Sequence, residues 1–384
     1  MAALTISKEE EKRLKGLGFL NNKGTDNFSA RVITVNGKVN TAQMTCLTEA
    51  AEKYGNGNMA FTTRLTVEVQ GIPYENIEAF QAYIAKAGLQ TGGTGAKVRP
   101  IVSCKGTTCQ YGLLDSFALS EEIHHRFYEG YHDVALPHKF KIAVGGCPNN
   151  CVKPDLNDLG IIGQRIPNFD KSRCKGCKKC SVAAACPIGA SKVVDGVLHR
   201  DEEKCNHCGR CIGNCRFDSI TDGQYGFKIY IGGRWGKQVA RGRALSKIFT
   251  DKEEALNVIE KAILLYREQG QPGERFANTI ERLGFENVEQ QLMENELLER
   301  KAEIAEQVYE MACGSGDNED LREKLIDVMY ENEQLKAENS KLREILNKAY
   351  DFMKQFMVDG RNLLDRFLES IGQVVEKVRD GFRR

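Results

Sequence analysis

No apolar run in this chain approaches the roughly 20 residues needed to span a bilayer. The opening segment, MAALTISKEEEKRLKGLGFL, lacks the apolar core of a signal peptide. Nothing therefore directs export, and the expected compartment is a reducing cytoplasm. An excess of one charge is missing too. The 54 Lys and Arg stand against 53 Asp and Glu, which gives no reason to expect a nucleic acid or an anionic membrane as partner. Gly92-Gly93-Thr94-Gly95 has neither the spacing of a dinucleotide loop nor a following Lys-Ser/Thr. No Rossmann fingerprint or flavin signature occurs elsewhere, so any reducing equivalents must come from another protein. Tryptophan occurs once, at Trp235.

Cysteine is what the chain has in excess. Of its 14 cysteines, all but Cys46 and Cys313 fall into three sets of four. In a reducing compartment such spacing marks metal ligands rather than disulfides. Two sets are compact: Cys174-x2-Cys177-x2-Cys180-x5-Cys186 and Cys205-x2-Cys208-x2-Cys211-x3-Cys215. Three cysteines two residues apart can fold around one iron–sulfur cubane, with the fourth ligand supplied by the other half of a pseudo-symmetric pair. Cys174, Cys177, Cys180 and Cys215 are thus expected to hold one [4Fe–4S] cluster, and Cys205, Cys208, Cys211 and Cys186 a second. Pro187 fits the bacterial ferredoxin pattern; the x5 gap before Cys186 and Arg216 in place of the second proline depart from it. A zinc ribbon is the competing reading, which cysteine triplets suit less well. The third set is split, as Cys104-x4-Cys109 and Cys147-x3-Cys151. Its loops carry Gly106, Gly145, Gly146 and Pro148, residues expected where backbone passes close to an inorganic cluster, and four thiolates from two loops can close a third cubane.

Periodicity organises the rest. Residues 1–95 read as α+β: a charged helix near 7–17, a strand at Arg31–Val35 with Asn36-Gly37 as its turn, a helix over 41–54, an alternating strand Phe61–Gln70 and a helix over 75–87. Residues 96–168 continue with a cysteine loop, a helix over 113–128 and a strand Phe140–Val144. Residues 169–220 are cysteine-rich and aperiodic, and look like an insertion, because strand pattern resumes over 221–294 (Phe227–Gly233), followed by a helix at 251–269. Residues 295–384 are charged and helical. Leu321, Val328, Leu335, Leu342 and Ala349 repeat every seven residues, with Leu325, Asn332, Asn339, Leu346 and Met353 at the paired positions. This fits a two-stranded coiled coil and a homo-oligomer; a single solvated amphipathic helix is the alternative. Phe352, Phe356, Leu363, Phe367, Ile371, Val374 and Val378 continue an apolar stripe at helical spacing.

Several motifs occur in consistent order: Thr62-Thr63-Arg64, Thr91-Gly92-Gly93-Thr94-Gly95, Val98-Arg99-Pro100, Leu136-Pro137-His138-Lys139-Phe140-Lys141, Gly146-Cys147-Pro148-Asn149-Asn150-Cys151, Gly232-Gly233-Arg234-Trp235-Gly236 and Gly273-Glu274-Arg275-Phe276. Together, over roughly residues 25–290, they resemble the sirohaem-dependent sulfite and nitrite reductases, especially the short anaerobic and dissimilatory branch with a two-cluster ferredoxin insert. The resemblance implies a ferredoxin-like half-domain (1–95), a sirohaem and [4Fe–4S] domain in two parts (96–168 and 221–294), a dicluster insert (169–220) and a helical tail (295–384). It implies three [4Fe–4S] clusters, and a sirohaem whose iron shares the thiolate of Cys151 with the split-set cluster. Arg31, Arg64, Arg99 and Asn149 would contact the cofactor, and Arg64, Arg99, Lys139 and Lys141 the substrate anion. Sirohaem carries eight carboxylates and the substrate is an oxyanion, so fixed positive charge is what such a pocket needs. Two departures stand out. The first cysteine loop is x4 where the family usually has x5, and Ile33 stands where an Arg-x-Arg pattern on the early strand would place a second arginine beside Arg31.

The implied activity is a six-electron reduction of sulfite to sulfide, or of nitrite to ammonia, with electrons from a reductase subunit or a soluble ferredoxin. A polyferredoxin-type carrier without oxyanion turnover is the alternative. Other residues read more plainly: Cys46 as a buried structural thiol, Cys313 as a surface one, His124-His125 as a solvated pair on a charged helix, His207 as surplus to a complete cysteine set, and Trp235 as core or a macrocycle contact.

Overall fold

The computed structural model describes residues 6–304 and the backbone of 357–358 and 361–362. The chain divides into a unit of Met1–Ala312 and a unit of Cys313–Arg384. Helix α1 (Lys8–Gly16) starts where Ser7 Oγ accepts from the Glu10 N–H, and Glu9, Glu10 and Glu11 oppose the helix dipole in its first turn. It leads into β1 (Phe19–Asn21) and β2 (Asn27–Val32). Helix α2 (Thr41–Tyr54) opens on a reciprocal capping box between Asn40 and Gln43. Then come β3 (Met59–Phe61), β4 (Val67–Pro73) and α3 (Ile77–Ala85). The strands form an antiparallel sheet in the order β1-β2-β4-β3. Phe19, Phe28, Leu47, Val69, Phe80 and Ile84 fill the core between this sheet and its helices.

Two sequence expectations are corrected here. The alternating segment Phe61–Gln70 is two strands, because Thr62–Thr66 is a tight turn. Leu65 takes a positive φ of 59°, and the Thr62 hydroxyl accepts from the N–H groups of Arg64 and Thr66. Threonine alternation looks the same in a strand and in a turn stitched by its own hydroxyls. The early strand also ends sooner, at Val32 rather than Val35, since Ile33 N–H turns to the Gln90 carbonyl.

The second layer is built on a five-stranded sheet. In chain order its elements are β5 (Val102–Ser103), α4 (Ser116–Ile123), β6 (Ile142–Gly145) and β7 (Leu159–Phe169). After β7 come α5 (Ser181–Ala185), β8 (Ser191–Val194), β9 (Val197–Arg200), β10 (Ile220–Ile231), β11 (Arg243–Phe249) and the helices α6 (Lys252–Gln269), α7 (Phe276–Leu283), α8 (Phe285–Met293) and α9 (Glu296–Glu299). The sheet order is β11-β10-β7-β6-β5, with β5, β6 and β7 parallel and the rest antiparallel. All four residues of β6 are buried, as a strand covered on both faces requires. Phe276 packs edge to face on both Phe140 and Tyr266 beneath its start, and Phe140 tilts against Tyr266, with centroids 5.2–5.8 Å apart. The chain leaves this sheet at Phe169 and rejoins it at Ile220, so the cysteine-rich block occupies the excursion between β7 and β10.

Further corrections concern single residues. His124 is buried at 1% exposure, whereas His125 is exposed. The helix that begins as α4 widens to a π-helical turn over His124–Glu129, which rotates His124 inward to stack on Tyr128 at 4.8 Å. Trp235 is 64% exposed rather than core. Cys46 is half-buried. The heptad seam and Cys313 lie outside the described residues. Within the predicted helical tail, the backbone of Met357–Val358 pairs antiparallel with that of Arg361–Asn362.

Candidate active site

Strand β6 is the axis of the site. Lys139 and Lys141 flank the buried Phe140 just before it, and Gly146-Cys147 follows it. Phe140 bridges to Val98 in parallel, and Arg99 N–H donates to the Phe140 carbonyl at 2.8 Å. This pairing holds Arg99 beside the two lysines. From the other layer, the Thr62–Thr66 turn delivers Arg64. Four of its five N–H groups are used: Nε and Nη2 donate to the Pro100 carbonyl (3.1 and 2.7 Å), Nη2 to the Ile142 carbonyl (3.0 Å) and Nη1 to Asn157 Oδ1 (3.0 Å). Arg64 thus clamps the two layers together and keeps one N–H for a ligand.

The charges here act on one another. Burial lowers Arg64 to about 10, with Asp158 opposing the fall and Arg99 adding to it. Burial, reinforced by Arg31, brings Arg99 to about 10 as well. Lys141 is lowered to about 8 by burial and by Arg64, Lys139 and Arg275, and Lys139 is lowered by burial, Arg275 and Arg99. Set against these cations is Asp158. It is fully buried, takes Arg275 Nη2 on both oxygens at 2.8 and 2.9 Å, and accepts the Lys141 N–H at 2.9 Å. Burial raises its pKa, a rise that Arg275 and Lys141 oppose. Arg31 pairs with Glu68 at 3.3 Å. The Nε groups of Arg99 and Arg275 are buried with no hydrogen-bond partner. Six cations against two carboxylates, Asp158 and Glu68, with two buried N–H donors unmatched, suit an anionic ligand. Ile33 lies against Gly93, where a Cβ would come 3.1 Å from its Cδ1 and 2.7 Å from Pro100 Cγ; Gly93 also has φ 72°, so only glycine fits that bend.

At the far end of β6 the split cysteines converge. Gly146 N–H donates to Cys104 Sγ at 3.1 Å. The loops touch at two glycines: a Cβ on Gly106 would lie 2.9 Å from Gly146 Cα, and one on Gly146 would lie 2.8 Å from Gly106 Cα. Burial raises the Cys147 thiol, and Cys104, Cys151 and Cys109 push it further up, so all four sulfurs share one field. Cys151 is the one exposed cysteine among those described. Next to it Asn150 (φ 56°) donates to Asp155 Oδ1 at 2.7 Å, and Asn149 lines the adjoining pocket with Cys147.

In the excursion, Cys186, Cys205, Cys208 and Cys211 line one cavity, beside Pro187 and His207. That grouping is the crossed set expected from spacing. His207 Nδ1 is buried there without a partner. Burial opposes it, yet backbone N–H groups of Ile188, Ser191, Ala190 and Gly189 bring the Cys186 thiol below its usual value. Cys174, Cys180 and Cys215, and also Cys211, pack on the small apolar cluster of Val182, Leu198 and Ile220. Leu198 N–H donates to Cys174 Sγ at 3.3 Å, and Ser219 Oγ lies 3.1 Å from Cys215 Sγ. Such N–H and O–H donors stabilise thiolates, the form that ligates metal. Among the described residues no three His, Cys, Asp or Glu side chains are gathered tightly enough for a single metal ion; a four-iron cube holds its thiolates at wider corners.

Arg64, Arg99, Lys139 and Lys141 thus share one electrostatic site with Arg31, while Cys151 and Asn149 lie toward the opposite end of β6. Sequence reasoning gave no role to Arg275 or Asp158. Arg275 sits in a noted motif, Gly273–Phe276, but a lone arginine there carries no sign of its direction. Asp158 has no sequence signal at all, since only the fold sets it under Lys141.

Residues 94–301 match the family profile described as the nitrite and sulphite reductase 4Fe-4S domain, and residues 21–87 match the nitrite/sulfite reductase ferredoxin-like half domain. The coenzyme F420-dependent sulfite reductase of Methanocaldococcus jannaschii is 31% identical over 240 residues, covering 62% of this chain and 37% of that protein. An uncharacterised protein of the same organism is 30% identical over 269 residues, covering 70% of this chain and 92% of its own length. The chain therefore spans little more than a third of the first relative and nearly all of the second. Among solved structures, dissimilatory sulfite reductase I shares the fold with a TM-score of 0.55 at 22% identity, over 69% of this chain and 68% of that one.

Proposed function

Since the chain belongs to the nitrite and sulfite reductase family, whose members are oxidoreductases, we propose that it is a sirohaem- and iron–sulfur-dependent reductase taking sulfite to sulfide. The observation that carries this reading is the arrangement about β6, with Lys141 and its cation cluster at one end and four converging cysteines at the other. When bound, the sirohaem and its neighbouring cluster supply the multi-electron redox chemistry. Cys104, Cys109, Cys147 and Cys151 would hold that cluster, with the exposed Cys151 thiolate turned to the haem iron. Arg31, Arg99, Asn149 and the free N–H of Arg64 would bind the macrocycle carboxylates.

Lys139, Lys141 and Arg99 hold the oxyanion by charge and N–H donation, and the buried Arg275–Asp158 pair fixes their positions. Sulfite to sulfide consumes six electrons and six protons and releases three waters, so proton supply matters as much as charge. Lys141, at about 8, can hold or release a proton at Nζ near neutral pH, as a proton relay requires. On this reading residues 1–95 are the half-domain, 96–168 and 221–294 the reductase domain, 169–220 a dicluster ferredoxin insert, and 295–384 an oligomerising coiled-coil tail. A donor subunit or soluble ferredoxin delivers the electrons. Nitrite is the second candidate substrate, because the matched profile covers reductases of both anions.

Anaerobic purification tests the reading. It requires about thirteen irons per chain, from three cubanes and one haem, and an extractable tetrapyrrole. About eight irons without pigment would leave an electron carrier and refute it. Turnover of sulfite and nitrite with a reduced dye then assigns the substrate. Lys139→Glu should abolish oxyanion binding while leaving the ferredoxin-type clusters intact.

A further inference from the structure

We propose that the exposed cations around Cys174, Cys177 and Cys180 form the docking surface for an acidic ferredoxin-type electron carrier. The proposal rests on the reading that the excursion holds two clusters, and it names which of them faces outward. Lys171, Arg173, Lys175, Lys178 and Lys179 all lie within residues 171–180, a stretch with no acidic residue. All five are exposed. Arg173 reaches Asp170 at 3.6 Å; the four lysines make no ion pair among the described residues. In a chain whose net charge is +1, this is a strong local excess. Exposed lysines are usually a solvated face, but here they ring three half-buried sulfurs, which an ordinary solvated face has no reason to do.

The other half of the excursion faces the opposite way. Cys208, Gly209 and Arg210 share a pocket with Cys147, Pro148, Asn149 and Tyr111 of the split-set loops. Arg165 N–H donates to the His207 carbonyl at 2.8 Å, and a Cβ on Gly209 would press on the Arg165 stem at 2.7 Å. The Arg210 guanidinium stands 4.8 Å over the Tyr111 ring, a cation–π contact that ties the two parts together. The Cys205–Cys211 loop is therefore the inner face. The Cys174–Cys180 loop takes no part in that pocket and instead backs onto the β8–β9 hairpin, through Gly176 against Gly196 and Cys174 beneath Leu198. One cluster position looks inward and the other outward through a basic collar. Complementary charge raises encounter rate and fixes orientation, and salt weakens it. In each encounter one electron leaves the reduced carrier's cluster and reduces the outer cluster by one, with no bond made or broken.

The test uses the full, cluster-loaded chain and a reduced acidic [4Fe–4S] ferredoxin as probe. Its affinity should fall at least about tenfold between low and physiological salt, and carbodiimide should cross-link its carboxylates to Lys175, Lys178 or Lys179. The double variant Lys178→Glu/Lys179→Glu should bind at least about tenfold more weakly at low salt, while its turnover with the cationic methyl viologen radical does not fall. Salt-independent binding, cross-links mapping elsewhere, or unchanged affinity in the variant would overturn the proposal. The separate outcome of salt-sensitive docking and cluster reduction without sulfite or nitrite turnover would instead retire the reductase reading and leave the docking surface standing.

Discussion

Arg275 and Asp158 meet in a two-point ion pair, Nη2 to both carboxylate oxygens at 2.8 and 2.9 Å, at a position where Asp158 is fully buried. The same carboxylate takes the Lys141 N–H, so one anion anchors α7, β7 and the start of β6. Removing a single partner of a buried pair leaves the other charge uncompensated. Asp158→Ala should therefore lose about 3–5 kcal/mol of stability, read as a lower denaturant midpoint. A midpoint unchanged from the parent would show that the pair is not structurally committed.

Arg64 offers a second test, because its contacts are mostly to protein. Arg64→Ala strips donors from the Pro100 and Ile142 carbonyls and from Asn157, which should cost at least about 2 kcal/mol. Arg64→Lys keeps the charge but not the fork, and should recover only part of it. If stability holds in both variants while sulfite KM rises, Arg64 is a ligand contact rather than a clamp.

Lys141 predicts a pH dependence. Its pKa is depressed to about 8 by burial and neighbouring cations, so the cation is present below that value and lost as pH rises through it. Oxyanion affinity should decline above about pH 8. Lys141→Arg should remove the decline, and Lys141→Met should give weak, flat affinity at all pH. The stability sign is opposite. Between about 8 and the ordinary 10.5 the unfolded chain holds the proton that the folded chain has released, so the stability of the ligand-free protein should rise across that window.

Gly146→Ala should separate the cysteine loops, since the added methyl would sit 2.8 Å from Gly106 Cα. The expected phenotype is loss of about four irons together with the haem signal, leaving the two ferredoxin-type clusters visible by electron paramagnetic resonance. Full pigment in this variant would contradict the loop contact.

Cys186→Ser probes the crossed pairing. Because Cys186 lines the cavity of Cys205, Cys208 and Cys211, the variant should lose or convert the cluster nearer the split set and keep the outer one. Conversion of the outer cluster instead would overturn that assignment.

The cysteine sets stood out as candidate cluster ligands in the sequence because such geometry is nearly local: three thiolates two residues apart need one loop and little else. Helices α2 and α6 were equally legible, from apolar stripes that depend on neighbours three and four residues away. The Thr62–Thr66 turn was not, because the same threonines satisfy a strand pattern until their hydroxyls bond their own backbone. His124 misled for a related reason. Its charged neighbours mark a solvated helix, and only the π-helical turn rotates it under Tyr128.

The sequence by itself determined that this chain carries iron–sulfur chemistry, and the order of its motifs determined its family, since ligand type and spacing survive without knowledge of the fold. Only the tertiary structure decided how the cations are arranged. Arg64 crosses from one layer to lock the other, Asp158 lies beneath Lys141, and Arg275 arrives from a helix more than 130 residues beyond Lys141. Long-range electrostatic pairs are set by which surfaces pack, and no local pattern encodes that.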